Sequence, residues 1–214
     1  MGSGESYVLK FVKKEKVAKD TYTFYFDRGK FPDFLPGQYL RLEIPHKADD
    51  RGTKRYFTIS SSPLDKNYLT ITTKIFSHPE PRHSEFISES HGILKPFGLA
   101  QGGQVQQDKY IRSTFKHTLF NLKPGTKVNV FGPMGWFLLP KDEKAEKVFI
   151  AGGIGVTPFH SLLTTLKDQK LEVSYTLISI FSSKENAVFY EELINVSKNN
   201  PQINVIYLFS NSQE

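Results

Sequence analysis

Between residues 148 and 158 the chain reads Val-Phe-Ile-Ala-Gly-Gly-Ile-Gly-Val-Thr-Pro, and few stretches restrict a fold more tightly. The unbroken apolar run Val148 to Ala151 predicts a strand covered on both faces, the habit of parallel sheets. Gly152, Gly153 and Gly155 follow, and a backbone without Cβ atoms can turn sharply there and approach an anion closely. Thr157 predicts a helix N-cap, and Pro158 suits the first helical position. Leu162, Leu163 and Leu166 give that helix an apolar side. Val173 to Ile180 reads as a second buried strand, and Ile203 to Phe209 as a third. Ser182 and Glu185 have the spacing of a capping box for a second helix ending near Asn200. Strand, helix, strand, helix, strand predicts parallel pairing with right-handed crossovers.

Upstream the periodicity is different. Thr21 to Phe26 and Tyr39 to Ile44 alternate polar and apolar residues, as half-buried strands do. Tyr7 to Val17, Arg55 to Ser60, Leu69 to Ile75 and Lys127 to Phe131 complete six candidate strands. The 18 Phe and 10 Tyr lean the same way. Short strands separated by turn signals such as Pro36-Gly37 predict a small antiparallel barrel. Phe115 to Leu122 predicts one helix across it, stopped by Pro124-Gly125. The expected organisation is a six-stranded antiparallel β-barrel over 1–142 and an incomplete α/β parallel-sheet domain over 146–214. Residues 77–112 carry no sustained periodicity and read as an irregular insert, which is long for a compact domain.

Composition narrows the chemistry. The chain has no cysteine, which excludes disulfides, thiolate metal sites and cysteine-ligated iron–sulfur clusters. A net charge of +6 suits acidic partners: nucleotide phosphates, an acidic redox protein or nucleic acid. A solvated lysine-rich surface accounts for the same number. No apolar run is long enough to span a bilayer, and Met1 to Ser6 lacks the pattern of a signal peptide; a cytoplasmic protein is expected. Gly2 with Ser6 matches a loose myristoylation pattern. There is no nucleophile motif and no paired metal-ligand spacing, and His78, His83 and His91 fall in the irregular insert, so no metal site is expected. A basic barrel can bind single-stranded nucleic acid, but that reading leaves the Gly152 turn and the later strand–helix alternation unexplained.

Several motifs occur together in a recognisable order. They are Pro36-Gly37-Gln38-Tyr39, Arg55-Tyr56-Phe57-Thr58, Leu122-Lys123-Pro124-Gly125, Gly132-Pro133-Met134-Gly135 and Gly152 to Pro158. As a set they resemble the ferredoxin–NADP⁺ reductase superfamily, flavodoxin-reductase-like proteins with an FAD-binding barrel and a nucleotide domain. The resemblance covers nearly all of the chain except 77–112. It implies bound FAD, a visiting NADH or NADPH, and hydride transfer between them, with electrons passed to a ferredoxin- or flavodoxin-type partner.

The resemblance also implies roles for residues. Arg55 would grip the FAD pyrophosphate, a task suited to a planar, permanently charged donor. Phe57 stands where the family commonly has Tyr, so a ring can still pack on the flavin but a hydroxyl contact is lost. Alternation places Phe57 and Tyr56 on opposite faces. Thr58 would set a hydroxyl near flavin N5 and is the candidate catalytic residue. Thr72, Thr73 and Lys74 would border the flavin by their backbone. Lys116 replaces a Ser that meets flavin phosphate in many relatives. Gly152, Gly153, Gly155, Thr157 and Pro158 would hold the nicotinamide nucleotide's pyrophosphate at a helix N-terminus. Ser182 and Lys184 would meet its ribose, and Lys184 hints at a 2′-phosphate.

Two departures accompany these roles. Relatives continue for several more elements after the third parallel strand. A truncated or interrupted frame is therefore expected, or a nucleotide domain completed by another polypeptide. Arg82 to Ser90 reads like a translated repetitive DNA element; the rival expectation for 77–112 is a lid over the adenosine half of FAD. A flavin-binding pseudoenzyme with impaired turnover is the alternative function.

Overall fold

The computed structural model describes residues 5–46, 52–75, 113–135 and 145–211. The insert at 77–112, with His78, His83 and His91, therefore lies outside the described residues. So do residues 136–144, next to the expected domain boundary.

Six strands form the first sheet. They are β1 (Ser6–Ala18), β2 (Thr21–Asp27), β3 (Tyr39–Glu43), β4 (Lys54–Thr58), β5 (Tyr68–Lys74) and β6 (Lys127–Met134). Their order is β4-β3-β6-β1-β2-β5 and the pairings are antiparallel. The two edge strands meet through a single bridge, Ile59 to Ile71, and the Ser60 N–H donates to the Thr70 carbonyl at 2.9 Å. The expected barrel is thus present as a curled sheet whose last seam is a bridge and not a ladder. Alternation is the reason the sheet curls around one core. Phe24, Phe26, Leu40, Leu42, Leu69 and Ile71 point inward with Phe115 and Leu119, which belong to the short helix α1 (Thr114–Phe120). Ser113 caps α1 by accepting from the Lys116 N–H.

The second sheet has three parallel strands, β7 (Lys147–Gly152), β8 (Tyr175–Phe181) and β9 (Ile203–Phe209), in sequential order. Helices α2 (Thr157–Leu166) and α3 (Tyr190–Asn199) both lie on one face. Phe159 of α2 packs 4.9 Å from Phe149, and Tyr190 of α3 packs 4.8 Å from Tyr207. The opposite face has no cover among the described residues. In register across the strands it presents Val148/Thr176/Asn204, then Ile150/Ile178/Ile206, then Gly152/Ile180/Leu208. Val148 is 61% exposed and Ile150 68%. This corrects the expectation for Val148 to Ala151: the run is apolar on both sides, but one side faces outward.

Two capping expectations are also corrected. A 3₁₀ turn over Gly153–Val156 precedes α2, so the cap falls on Val156. Thr157 is already helical and its hydroxyl donates back to the Ile154 carbonyl at 3.1 Å. Ser182 and Glu185 do not start a long helix. Asn186 Nδ2 donates to both Ser182 Oγ and Ser183 Oγ, holding residues 184–186 in a separate 3₁₀ turn. Helix α3 begins only after Phe189, which takes the left-handed conformation at φ 60°.

Candidate functional site

The predicted residues gather in two neighbouring groups. The first surrounds Phe115 at the start of α1. Arg55, on β4, sets its guanidinium 5.3 Å from the Phe115 ring. Its Nη1 donates to the carbonyls of Gly52 at 3.0 Å and Lys54 at 2.7 Å. Phe57, two residues along the same face, stacks on Phe115 at 6.0 Å. Tyr56 points the other way, half-stripped of cover, against Tyr39. The alternation argument for these two rings therefore holds. Phe57 has one ring face on the barrel core, which fixes its position. Lys116 Nζ donates to the Lys74 carbonyl at 2.8 Å, so the end of β5 and the first turn of α1 are joined. Thr114 Oγ1 and His46 Nε2, next to Phe115, have no hydrogen-bond partner among the described residues. A cationic, donor-rich corner of this kind fits a diphosphate.

Thr58 closes β4 opposite Tyr39. Thr72 and Thr73 lie on β5 opposite Thr23 and Tyr22. The Thr72 hydroxyl is buried in a chain of hydroxyls, 2.8 Å from Thr23 Oγ1 and 2.9 Å from Ser60 Oγ; Ser60 Oγ is in turn 2.8 Å from Thr70 Oγ1. Thr72 can therefore offer a ligand its backbone but not its side chain.

The second group stands at the C-terminal ends of the parallel strands, where open α/β sheets bind ligands. Gly152 ends β7, and Gly153 follows with φ +52°, a conformation that side chains rarely adopt. A Cβ built at Gly152, Gly153 or Gly155 meets nothing within 4 Å, so the turn opens onto free space. That space, with helix α2 starting directly behind it, fits a nucleotide pyrophosphate. Ser182 and Lys184 follow β8 in the neighbouring position. Lys184 lies 4.6 Å from the Tyr190 ring and 4.0 Å from the Glu191 carboxylate, so its charge already has company at the surface.

The Gly153–Val156 turn packs against β5, the strand that carries Thr72, Thr73 and Lys74. A seam of polar contacts beside it joins the two sheets. His160 Nδ1 lies 2.7 Å from the Ser60 carbonyl oxygen, Ser161 Oγ donates to the Ser61 carbonyl at 2.6 Å, and Ser62 Oγ lies 2.8 Å from Thr165 Oγ1. These residues were missed as site residues in the sequence. The available signal was a run of three serines directly after the Arg55 motif, and a polar set on an otherwise apolar helix.

Among the described residues no group of His, Cys, Asp and Glu is placed to hold a metal ion. No helix among them is long and apolar enough to cross a membrane.

The oxidoreductase FAD-binding domain model matches residues 8–138. A flavohemoprotein of Bacillus anthracis is 28% identical over 188 residues, which is 88% of this chain and 37% of that protein. The glycine betaine monooxygenase reductase subunit of Pseudomonas aeruginosa is 28% identical over 190 residues, or 87% of this chain and 42% of the relative. The chain thus spans about two fifths of the length of these curated relatives. A ferredoxin–NADP⁺ reductase from Plasmodium falciparum has the same fold, with a TM-score of 0.72 at 19% identity over 97% of this chain and 75% of that one. The cationic corner around Phe115, the hydroxyl-lined strand beside it and the matched span agree: the chain belongs to the oxidoreductase FAD-binding domain family.

Proposed function

We propose that the protein is a flavin-dependent oxidoreductase that takes hydride from NADH or NADPH onto FAD and hands electrons to a separate acceptor. When bound, the two cofactors supply the chemistry, with hydride passing from nicotinamide C4 to flavin N5. The chain's own residues supply geometry. Arg55 and Lys116 hold the FAD pyrophosphate, and Phe57 gives the flavin an apolar wall. The backbone of Thr72, Thr73 and Lys74 borders the ring, and the Thr58 hydroxyl polarises it near N5. Gly152, Gly153 and Gly155 admit the second pyrophosphate; Thr157 and Pro158 start the helix behind it, and Ser182 and Lys184 face the ribose.

One observation carries this reading. The glycine turn abuts β5, and Lys116 of the flavin corner bonds the end of that same strand, so two phosphate-suited groups meet at one strand. Residues 1–142 are assigned to the flavin unit and 146–214 to the nucleotide unit. The bare face of the second sheet supports two subsidiary readings. One is a further polypeptide that covers the face and completes the nucleotide unit. The other is a flavin-binding protein with impaired turnover. The net charge of +6 suits an acidic redox partner of ferredoxin or flavodoxin type, and the absence of cysteine suits a reducing cytoplasm.

The test is a visible spectrum of the purified chain with FAD, followed by NADH or NADPH without oxygen. The proposal expects a yellow protein that bleaches. Yellow protein that stays yellow favours the impaired reading, and protein that refuses FAD removes both.

A further inference from the structure

His160 sits in the first turn of α2, just after Pro158 and Phe159, 7% exposed, with its ring stacked 3.7 Å from that of Phe189. Its two nitrogens face acceptors on different parts of the molecule. Nδ1 lies 2.7 Å from the Ser60 carbonyl oxygen of the flavin-side sheet. Nε2 lies 2.9 Å from Glu192 Oε2 on α3, at ion-pair distance, and among the described residues it has no hydrogen-bond partner of good geometry. A carbonyl can only accept, so Nδ1 must be the N–H. That leaves Nε2 as the atom whose proton decides the contact. With the proton it donates to Glu192; without it, a lone pair faces a carboxylate.

The Ser60 end is anchored equally firmly. The Ser60 hydroxyl belongs to the buried Thr23–Thr72–Ser60–Thr70 chain, while its carbonyl goes to His160. Ser61 repeats the arrangement: its hydroxyl accepts from the Thr70 N–H, and its carbonyl accepts from Ser161. The segment that leaves the flavin strand therefore has side chains fixed in the barrel and carbonyls fixed on the nucleotide helix. A small rotation of α2 would move the glycine loop relative to β5, and reacting centres tolerate misplacement of about 1 Å only at large cost in rate.

We propose that His160 is a positioning residue: by bridging the Ser60 carbonyl and the Glu192 carboxylate it sets the register between the flavin and nucleotide sites. The proposal rests on the oxidoreductase reading for its kinetic consequence. The groups that face this contact are few. Glu192 is on α3, and Lys167 at the end of α2 acts on its charge. Tyr25 of β2 and Tyr207 of β9 both feel the Glu192 charge, and burial holds each phenol well above its ordinary range, so both remain neutral. Glu192 itself is held below the ordinary carboxylate range, first by the hydrogen bond from His160.

The test uses the full chain and the variants His160→Gln, Glu192→Gln and the double variant. Gln keeps the volume at 160 and one donor, but carries no charge and cannot span both acceptors. Glu192 is half-exposed, so its variant folds even where the buried one does not. FAD content is expected to stay within about twofold, because neither residue touches the flavin corner. Single-turnover flavin reduction by saturating NADPH is expected to slow about tenfold in each variant, with no further loss in the double. The loss is expected in the rate at saturation, with the apparent affinity for NADPH held within about twofold; a merely unfolded nucleotide unit would lose both. Wild-type rates in both variants would overturn the proposal. If the wild type does not bleach at all, the oxidoreductase reading fails, and the melting temperature decides the seam by itself. Losses in the two single variants that fail to add uphold the bridge; fully additive losses overturn it.

Discussion

The six-stranded and three-stranded sheets of this chain are built from the same apolar residue types, yet they bury them differently. In the first, strands alternate, the sheet curls, and Phe24, Leu42, Ile59 and Ile71 vanish into one core. In the second, strands are apolar on both sides, as parallel strands generally are. Helices α2 and α3 cover one side, and the other presents Ile150, Ile178, Ile180, Ile206 and Leu208 with nothing upon them among the described residues. A curled alternating sheet needs one layer to be complete. A flat parallel sheet needs two, and exposed apolar surface of that extent marks an interaction site or an aggregation hazard.

The sharpest way to break this contrast is stability. Phe24→Ala, at full burial, should cost about 3–5 kcal/mol in a denaturant titration. Ile150→Ala on the bare face should lie within about 0.5 kcal/mol of wild type. A core-like cost at Ile150 would mean the face is covered in solution, and the contrast would disappear. Next in size is Arg55→Ala, which on the proposed reading removes charged hydrogen bonds to the flavin phosphates. It should lower FAD affinity by about 1.5–3 kcal/mol, read by recovery of flavin fluorescence, while leaving the second sheet intact. Gly153→Val forces a side chain into φ +52° and into the open space that the proposal gives to the nucleotide. The strain alone is about 1–3 kcal/mol, and the KM for nicotinamide nucleotide should rise while FAD content holds.

The smallest effect is electrostatic. The Glu192 carboxylate, depressed by the His160 hydrogen bond, contributes stability above its unfolded-state pKa and loses it as pH falls through the lower folded-state value. Because Glu192 is half-exposed, solvent screening limits this to about 0–1 kcal/mol. Melting curves of Glu192→Gln should therefore differ from wild type at neutral pH and converge with it well below the ordinary carboxylate range. A difference that persists in strong acid would assign the effect to packing.

Much of this was legible in the sequence because it is local. Alternation marked two of the six antiparallel strands, β-type residues between turn signals marked the other four, and apolar runs marked the three parallel ones. The Gly152 turn announced the helix behind it, and the spacing in Arg55-Tyr56-Phe57 set which ring shares a face with the arginine. What was illegible depends on partners. Ser182 with Glu185 has capping-box spacing, yet Asn186 takes the serine hydroxyls and the helix starts later. Val148 to Ala151 predicts cover on both faces, but whether a second layer exists is a property of other segments. The Ser60–His160 bridge joins residues a hundred positions apart and leaves no periodicity to read.

The central claim is that two phosphate-suited sites, one at Arg55 and one at Gly152, hold their ligands ring against ring beside β5. Anaerobic single-turnover bleaching of the FAD-loaded chain with NADPH deuterated at nicotinamide C4 tests this most directly. The account predicts slower bleaching with the deuterated nucleotide, because the bond to that hydrogen breaks in the observed step. Bleaching at the same rate with both isotopes, or bleaching that survives loss of the nucleotide site in Gly153→Val without change, would contradict it.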